Sequence, residues 1–369
     1  MTIANHKIFR PQSVRLSSIN ENRVKTAKAA YTTRRIDRDA IYTLLDGEIK
    51  PRAGDLLLAR VENIGHHKRI ELETGRRAPL FPGDEVMVCY GNRYAPDQFE
   101  AEVPEDLGAC HLVAAGGIAS ECLSHHGKIS MPTQLQPLGL LGDADGRPLN
   151  MVDWALAPAA VDAPSPLVIA VVGTSMNAGK TTTAAYLIKG LSRAGMKVGA
   201  AKITGTGAGG DRWLMQDAGA FEVVDFTDAG FATTYRTSIQ ELEGIQSRLM
   251  NHLHGNGAEA IVLEIADGLF QQETAALLAS ARFRSNIDAV FFAAGDAMGA
   301  SGGVEWLRQH NLPVMGISGC VSASPLAARE AGMASGLPVF GLDQLASADI
   351  AEQIFDRDID WTDMAAKVG

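Results

Sequence analysis

One glycine-rich run combines residue types and a spacing that suit phosphate binding. It extends from Gly173 to Thr183, after an apolar stretch and before a stretch whose apolar residues recur at helical spacing. Glycines allow the backbone to wrap closely around phosphate oxygens, and the N–H groups at a helix start point at the anion. The residues predicted to bind the phosphates in this run are Gly173, Thr174, Asn177, Ala178, Gly179, Lys180, Thr181 and Thr182.

Two side chains in this run have predicted roles of their own. Lys180 is expected to reach the outer phosphates, and the Thr181 hydroxyl is expected to hold Mg²⁺. Five residues separate Gly173 from Gly179, whereas the common form of the motif has four. The extra residue narrows the set of families that this loop fits.

A lysine and a threonine come at the end of the second predicted strand of the same region. Lys202 closes the apolar run 198–203, and Thr206 lies four residues further on. A cation at this edge of a parallel sheet could neutralise a phosphoryl group in transfer. We therefore predict catalytic roles for Lys180 and Lys202.

Carboxylates follow two of the predicted strands and are candidate magnesium ligands. Spacing alone does not choose between Asp211 and Asp217 after the second strand, nor between Glu264 and Asp267 at the end of the run 260–265. An acid at the tip of a buried strand is costly unless it binds a metal or a partner. Mg²⁺ is commonly held by one or two carboxylates together with phosphate oxygens.

The second half of the chain alternates apolar strand-like runs with helical patterns. This order predicts an α/β fold with a mostly parallel, doubly wound sheet and a phosphate loop, that is, a P-loop NTPase fold. A capping box at Ser238 and Glu241 predicts the start of one helix. The six predicted strands are 167–172, 198–203, 260–265, 289–294, 314–317 and 339–342.

The first half differs in composition and predicts a smaller, β-rich domain. Short apolar runs at 55–61, 69–72 and 85–90 are separated by glycine turns, which favours a small barrel or sandwich. Residues 22–49 show a helical period with excess basic charge, typical of a solvated face and less often of phosphate binding. We predict a β-rich domain over 1–152, an Ala/Pro linker over 153–166 and the P-loop domain over 167–369.

Composition indicates which partners to expect. The formal charge of −10 argues against broad nucleic-acid binding, and no apolar run is long enough to span a bilayer. The four cysteines form no C-x-x-C pair, and the N-terminal residues lack a signal-peptide core, so we expect a cytoplasmic protein. The adjacent histidines at 66–67 and 125–126 are interpreted as surface or core residues. A polar, aromatic loop at 92–97 is our candidate for the first domain's contribution to a substrate site.

Together these motifs resemble the branch of P-loop proteins that contains the dethiobiotin synthetases and cobyrinic acid amide synthetases. The resemblance covers residues 167–345. That branch has the same five-residue spacing in its phosphate loop and a second-strand lysine followed four residues later by Ser or Thr. It also has an Asp-Ala pair and a strand-end Glu that bind magnesium. The resemblance therefore implies Thr181, Asp217 and Glu264 as magnesium ligands. It also implies that Thr206 is a catalytic residue together with Lys180 and Lys202.

The sequence also departs from that branch. Glu264 is followed by Ile-Ala-Asp-Gly instead of a glycine-rich run, and no adenine-reading Asn occurs in 315–320. ATP is thus implied by the resemblance, with GTP as an alternative. Dethiobiotin synthetases have no counterpart of the first 150 residues or so. Other P-loop proteins with an extra N-terminal domain, among them a D-amino-acid N-acyltransferase group, are similar to this chain in layout.

The resemblance implies an ATP- and Mg²⁺-dependent ligase or synthetase that activates a carboxylate or carbamate of a small metabolite by phosphoryl transfer. It also implies a homodimer. Two alternatives remain open: a nucleotide-dependent switch or delivery factor in cofactor assembly, and a group transferase that holds a phosphate-bearing donor in the P-loop pocket.

Overall fold

Two large sheets of different kinds organise the described part of the chain, a ten-stranded mixed sheet and a six-stranded parallel sheet, and a small two-stranded sheet accompanies them. A computed structural model describes residues 14–158 and 164–356. The predicted linker 153–166 includes residues 159–163, which lie outside the described residues, as do the ends of both predicted domains at 1–13 and 357–369.

The first region is built from twelve short strands, one short α-helix and three single turns of 3₁₀ helix at Tyr31–Thr33, Arg38–Ala40 and Met151–Trp154. Its α-helix and strands are β1 (Arg15–Ser18), α1 (Glu21–Thr26), β2 (Lys28–Ala29), β3 (Thr43–Asp46), β4 (Leu56–Asn63), β5 (Arg69–Glu71), β6 (Arg77–Pro79), β7 (Glu85–Tyr90), β8 (Arg93–Tyr94), β9 (Phe99–Glu102), β10 (Cys110–Ala114), β11 (Ile118–His125) and β12 (Thr133–Gly142).

Five of these strands close into a ring. β12 pairs with β4, β4 with β7, β7 with β11, β11 with β10, and β10 returns to β12. Apolar side chains such as Leu57, Val88 and Leu112 are fully buried in one cluster of this region. The expected small barrel is therefore present. Closing the sheet into a ring removes exposed strand edges.

The predicted helical character of 22–49 is largely wrong. Only α1 is α-helical there, and the chain continues through β2, two 3₁₀ turns and β3. Its basic residues are instead paired with carboxylates inside the molecule. The pairs are Arg23–Glu85, Lys25–Glu21, Lys28–Asp84, Arg34–Asp225, Arg34–Asp228, Arg35–Asp228 and Arg38–Glu73. The basic excess thus contributes to intramolecular ion pairs, three of which reach the second region.

The second region alternates strands and helices, as expected. Its elements are β13 (Leu167–Gly173), α2 (Lys180–Arg193), β14 (Val198–Lys202), α3 (Gly210–Asp217), β15 (Glu222–Asp225), α4 (Ile239–Gly255), β16 (Ala260–Glu264), α5 (Gln272–Ala279), α6 (Ala281–Arg284), β17 (Ala289–Ala293), α7 (Ala297–Gln309), β18 (Val314–Ser318), a 3₁₀ turn (Cys320–Ala323), α8 (Pro325–Ser335), α9 (Leu342–Leu345) and α10 (Asp349–Phe355).

All six strands of this region are parallel, in the order β15-β14-β16-β13-β17-β18. Five of the six predicted strands are present. The strand predicted over 339–342 is wrong, because Val339 makes only an isolated bridge to Ile317 and Leu342 begins α9. The edge strand β15 was missed, since its two apolar residues lie between two acids and give no long apolar run.

Helices cover both faces of this sheet and bury its apolar side chains. One buried cluster packs α4, α5 and α7 on one face, and a second packs α2 and α10 on the other. The predicted capping box is formed, because Ser238 Oγ accepts from the N–H of Glu241 while the Glu241 carboxylate accepts from the N–H of Ser238. In the described ranges no helix has the length and apolar character needed to cross a membrane.

The two regions meet through a buried ionic network at the ends of β14 and β15. Arg34 lies 3.3 Å from Asp225 and 2.6 Å from Asp228, and its guanidinium stacks 4.2 Å from the Tyr31 ring centre. The Tyr31 hydroxyl donates to Asp225. These contacts hold the first region against the edge of the sheet at which ligands bind in open α/β folds.

Candidate functional site

The phosphate loop joins β13 to α2 through a backbone that needs glycine. Gly179 has φ 100°, and a Cβ there would lie 2.8 Å from the Cα of Gly319. Asn177 also has a positive φ of 64°, a conformation that Asn tolerates better than most residues. Ala178 is buried, and its carbonyl accepts from the N–H of Cys320 at 3.0 Å. The loop is thereby fixed against the turn that follows β18.

Lys180 begins α2 and folds back over the loop. Its Nζ donates to the Ser175 carbonyl at 2.7 Å, and its aliphatic stem packs against Gly173. Burial lowers the pKa of Lys180, although Glu264 and Asp267 act against this shift. The ammonium group is therefore held at the loop by a carbonyl, with no carboxylate in direct contact among the described residues.

Four side chains converge at the carboxyl ends of β14 and β16. Thr181 Oγ1 lies 3.1 Å from Glu264 Oε1 and 3.3 Å from Asp211 Oδ1. Lys202 forms an ion pair with Asp211, and its Nζ lies 3.5 Å from Glu264 Oε1. Strand register explains the meeting, because Lys202 and Glu264 are direct partners in the pairing of β14 with β16.

The electrostatics of this group are those of a desolvated cluster. Burial opposes the charge of Lys202, but Asp211 and Glu264 outweigh it and raise the pKa of Lys202. Burial likewise opposes ionisation of Asp211, whose pKa is nevertheless held below its usual value by Lys202. The pKa of Glu264 is raised by burial. Lys202 and Asp211 are thus charged at neutral pH. At Glu264 the nearby lysines do not fully offset the effect of burial on the carboxyl group.

The donor set fits magnesium. Glu264 Oε2 is buried without a hydrogen-bond partner, and the neighbouring Thr181 hydroxyl and Asp211 carboxylate supply further oxygen ligands. Mg²⁺ prefers such oxygens and takes its remaining ligands from phosphates and water. Across 14–158 and 164–356 no three His, Cys, Asp or Glu side chains form a self-sufficient metal site. Any magnesium here would therefore need phosphate oxygens as well.

The structure does not bring Asp217 into this cluster. Asp217 is exposed and ends α3, whereas Asp211 lies in the first turn of the same helix. Six residues of helix separate them by about 9 Å along the axis. Spacing left the two open and the resemblance favoured Asp217. The geometry instead makes Asp211 the candidate ligand, because its Oδ1 lies 3.3 Å from the Thr181 hydroxyl.

Thr206 lies at the rim of the site. It forms an isolated bridge with Thr233, and it lines a small cavity together with Tyr94 and Asp267. Thr182, half-buried, follows Thr181 in the first turn of α2. Thr174 lies beside Gly299 and Gly268, whose missing side chains leave room for the loop.

The first region supplies residues that the sequence indicated only weakly. In the 92–97 loop, Asp97 Oδ2 accepts from Asn177 Nδ2 of the phosphate loop at 3.1 Å. Glu71 is buried and accepts from the N–H of Gly209 at 3.1 Å, which supports the start of α3. No sequence motif marked Glu71, because its role depends on a contact with a residue 138 positions away.

The histidine pairs behave as predicted for structural residues. His67 Nε2 lies 3.0 Å from the Val113 carbonyl, and its ring packs edge-on against Phe99. Burial lowers the pKa of His67 to about 4. His125 and His126 are exposed.

The parallel sheet and the loop between β13 and α2 give this region a P-loop NTPase fold. No family model matches the sequence, and no curated protein matches it significantly. Among solved structures, the signal recognition particle 54 kDa protein of Aeropyrum pernix in complex with GDP is similar at 20% identity and a TM-score of 0.35. That alignment covers 59% of this chain and 51% of the other.

The signal recognition particle receptor FtsY of Elizabethkingia anophelis is similar at 16% identity in two structures. The GDP complex gives a TM-score of 0.33 and covers 56% of this chain and 58% of the other. The second FtsY structure gives 0.32, with 57% and 65% covered. This chain thus spans about half to two thirds of these proteins, and TM-scores this low do not bear on its activity.

Proposed function

We propose that this chain is a Mg²⁺-dependent enzyme that transfers the terminal phosphoryl group of a nucleoside triphosphate to an oxygen of a small metabolite. The proposed acceptor is a carboxylate or carbamate, and the proposed nucleotide is ATP. The observation that carries this proposal is the convergence of Lys202, Asp211 and Glu264 on the Thr181 hydroxyl beside Lys180.

The proposed roles of these residues follow from their charges. Lys180 and Lys202 would neutralise the phosphate oxygens, while Thr181, Asp211 and Glu264 would hold magnesium. Bound magnesium would supply further charge neutralisation across neighbouring phosphates. The bond from the terminal phosphorus to its bridging oxygen breaks, a bond to the acceptor oxygen forms, and a nucleoside diphosphate leaves. Activation of a carboxylate in this way prepares it for attack by an amine, as in a ligase.

A cleft between the two regions offers space for the acceptor. Its volume is about 680 Å³, which is in the range of small-molecule sites. The lining includes Lys50, Arg52, Asn92, Asn150, Thr233, Tyr235 and Arg236. Thr233 and Tyr235 also line the small cavity that reaches Thr206 and Asp267. The cleft therefore adjoins the small cavity that contains Thr206 and Asp267.

Nucleotide turnover tests the proposal. Release of diphosphate from ATP and from GTP is measured with Mg²⁺, with and without a panel of small carboxylates and amines. We expect at least one carboxylate to accelerate turnover. Turnover that stays flat across the panel while nucleotide still binds would favour the switch alternative, and the absence of nucleotide binding would refute the proposal.

A further inference from the structure

Arg93 carries a buried charge that no carboxylate of the described chain pairs with directly. Its side chain is 7% exposed, and its Nε has no hydrogen-bond partner. Its Nη2 donates to the neutral Gln98 Oε1 at 2.8 Å. Within the described ranges no acidic oxygen lies within the 4.0 Å that defines an ion pair. The guanidinium is therefore desolvated without direct compensation.

Such an arrangement is costly for the protein alone. Burial lowers the pKa of Arg93 to about 10, while Asp267 and Asp97 oppose this shift only from longer range. Burial of a charge is unfavourable unless a partner of opposite charge compensates it. The other deeply buried arginine of this region, Arg34, contacts two carboxylates. The contrast indicates that the partner of Arg93 is an anion from outside the chain.

The position of Arg93 identifies which anion this is. Arg93 and Asp97 belong to the same short segment, and Asp97 contacts the phosphate loop through Asn177. Asp97 Oδ1 is buried without a partner, so this end of the segment also lacks part of its hydrogen bonding. Burial raises the pKa of Asp267, while the positive charges of Lys180, Lys202 and Arg93 act against that shift. Arg93 thus lies within electrostatic reach of Asp267, as the two lysines do, and the next residue, Tyr94, lines one small cavity with Asp267.

We propose that Arg93 is a catalytic residue, supplied by the N-terminal region, that contacts the phosphoryl group during transfer. This inference rests on the proposed function. The guanidinium donates hydrogen bonds to oxygens of the phosphoryl group while the bond to the bridging oxygen breaks and the bond to the acceptor forms. No proton is transferred to or from Arg93. Positive charge beside the phosphoryl group during its transfer stabilises the transition state more than it stabilises the bound nucleotide.

A transition-state mimic separates this role from simple binding. The affinity of the full-length chain for ADP or GDP with Mg²⁺ is measured with and without aluminium fluoride, which occupies the place of the phosphoryl group. We expect fluoride to tighten diphosphate binding to the native protein. Arg93→Gln should bind the diphosphate within about twofold of native affinity but lose about 10²–10³ of the tightening.

Arg38→Gln is the matched control, since Arg38 is a half-buried arginine of the same region paired with Glu73 at 2.5 Å. It should keep the full tightening. Thermal unfolding of each variant is recorded, because a merely structural role of Arg93 would lower the unfolding temperature and leave the tightening intact. Full tightening in folded Arg93→Gln would overturn the inference.

Two further outcomes are decisive. If Arg93→Gln does not fold, Arg93→Lys keeps the charge but loses the planar fork of donors. A partial loss of tightening in that variant supports the inference, and none overturns it. If the native protein binds neither diphosphate nor the fluoride complex, the proposed function itself fails and not only the role of Arg93.

Discussion

Two charged clusters lie side by side on the same edge of the parallel sheet, and they differ in how completely their charges are paired. Asp225, Lys202 and Glu264 occupy one row across β15, β14 and β16, in direct register. Around Asp225, Arg34 and the Tyr31 and Thr227 hydroxyls bind every carboxylate oxygen. Around Glu264, one oxygen is buried without a partner.

The difference separates architecture from chemistry. Burial works against ionisation of Asp225, yet Arg34 and Thr227 hold its pKa below the usual value. At Glu264 the balance is reversed, and burial raises the pKa. A fully paired network stabilises a domain contact, whereas an incompletely paired one retains capacity for a ligand. Each of the following changes tests whether the two clusters really behave so differently.

The largest expected effect is on stability, at the paired cluster. Arg34→Ala leaves Asp225 and Asp228 buried without their shared cation, and should lower the free energy of unfolding by about 3–5 kcal/mol. Chemical denaturation measures it. Arg23→Ala, which breaks the more exposed pair with Glu85, should cost no more than about 1 kcal/mol. Equal losses in the two variants would contradict the structural role of the Arg34 network.

The next effect is on turnover, at the incompletely paired cluster. Lys180→Ala removes a cation at the phosphate loop and should reduce nucleotide turnover about 10²–10³-fold. Its unfolding temperature should stay close to native, because the ammonium group contacts only the Ser175 carbonyl. Lys189→Ala, an exposed lysine of the same helix, is the control and should keep native turnover. A Lys180→Ala variant that turns over normally would remove the site assignment altogether.

Glu264→Gln and Asp225→Asn form a crossed pair within one row of the sheet. Glu264→Gln should raise the Mg²⁺ concentration needed for half-maximal turnover about 10–100-fold. Asp225→Asn should leave that concentration unchanged and instead destabilise the domain contact, because Arg34 loses a carboxylate. Magnesium titrations and denaturation of both variants check the crossing. If both variants showed the same magnesium requirement and the same loss of stability, the row would be one functional unit.

Much of the sheet and of the phosphate loop could be predicted because their signals are local. The apolar run before Gly173 and the lysine that ends β14 are recognisable one after another along the chain. β15 and the support from Glu71 could not be predicted. An edge strand with two apolar residues has no distinctive period, and Glu71 acts on Gly209 from another region. The choice between Asp211 and Asp217 depended on where α3 begins, and element boundaries are poorly specified by pattern.

That choice gives the smallest and most selective expected effect. Asp211→Asn keeps the size of the side chain but removes the carboxylate that contacts Thr181 and Lys202. It should raise the Mg²⁺ concentration needed for half-maximal turnover about tenfold. Asp217→Asn, two turns further along the exposed end of the same helix, should change it less than about twofold, because surface substitutions remote from a site have small effects. The reverse ranking in a magnesium titration would restore Asp217 as the ligand, and would require α3 to shift along its axis when nucleotide binds.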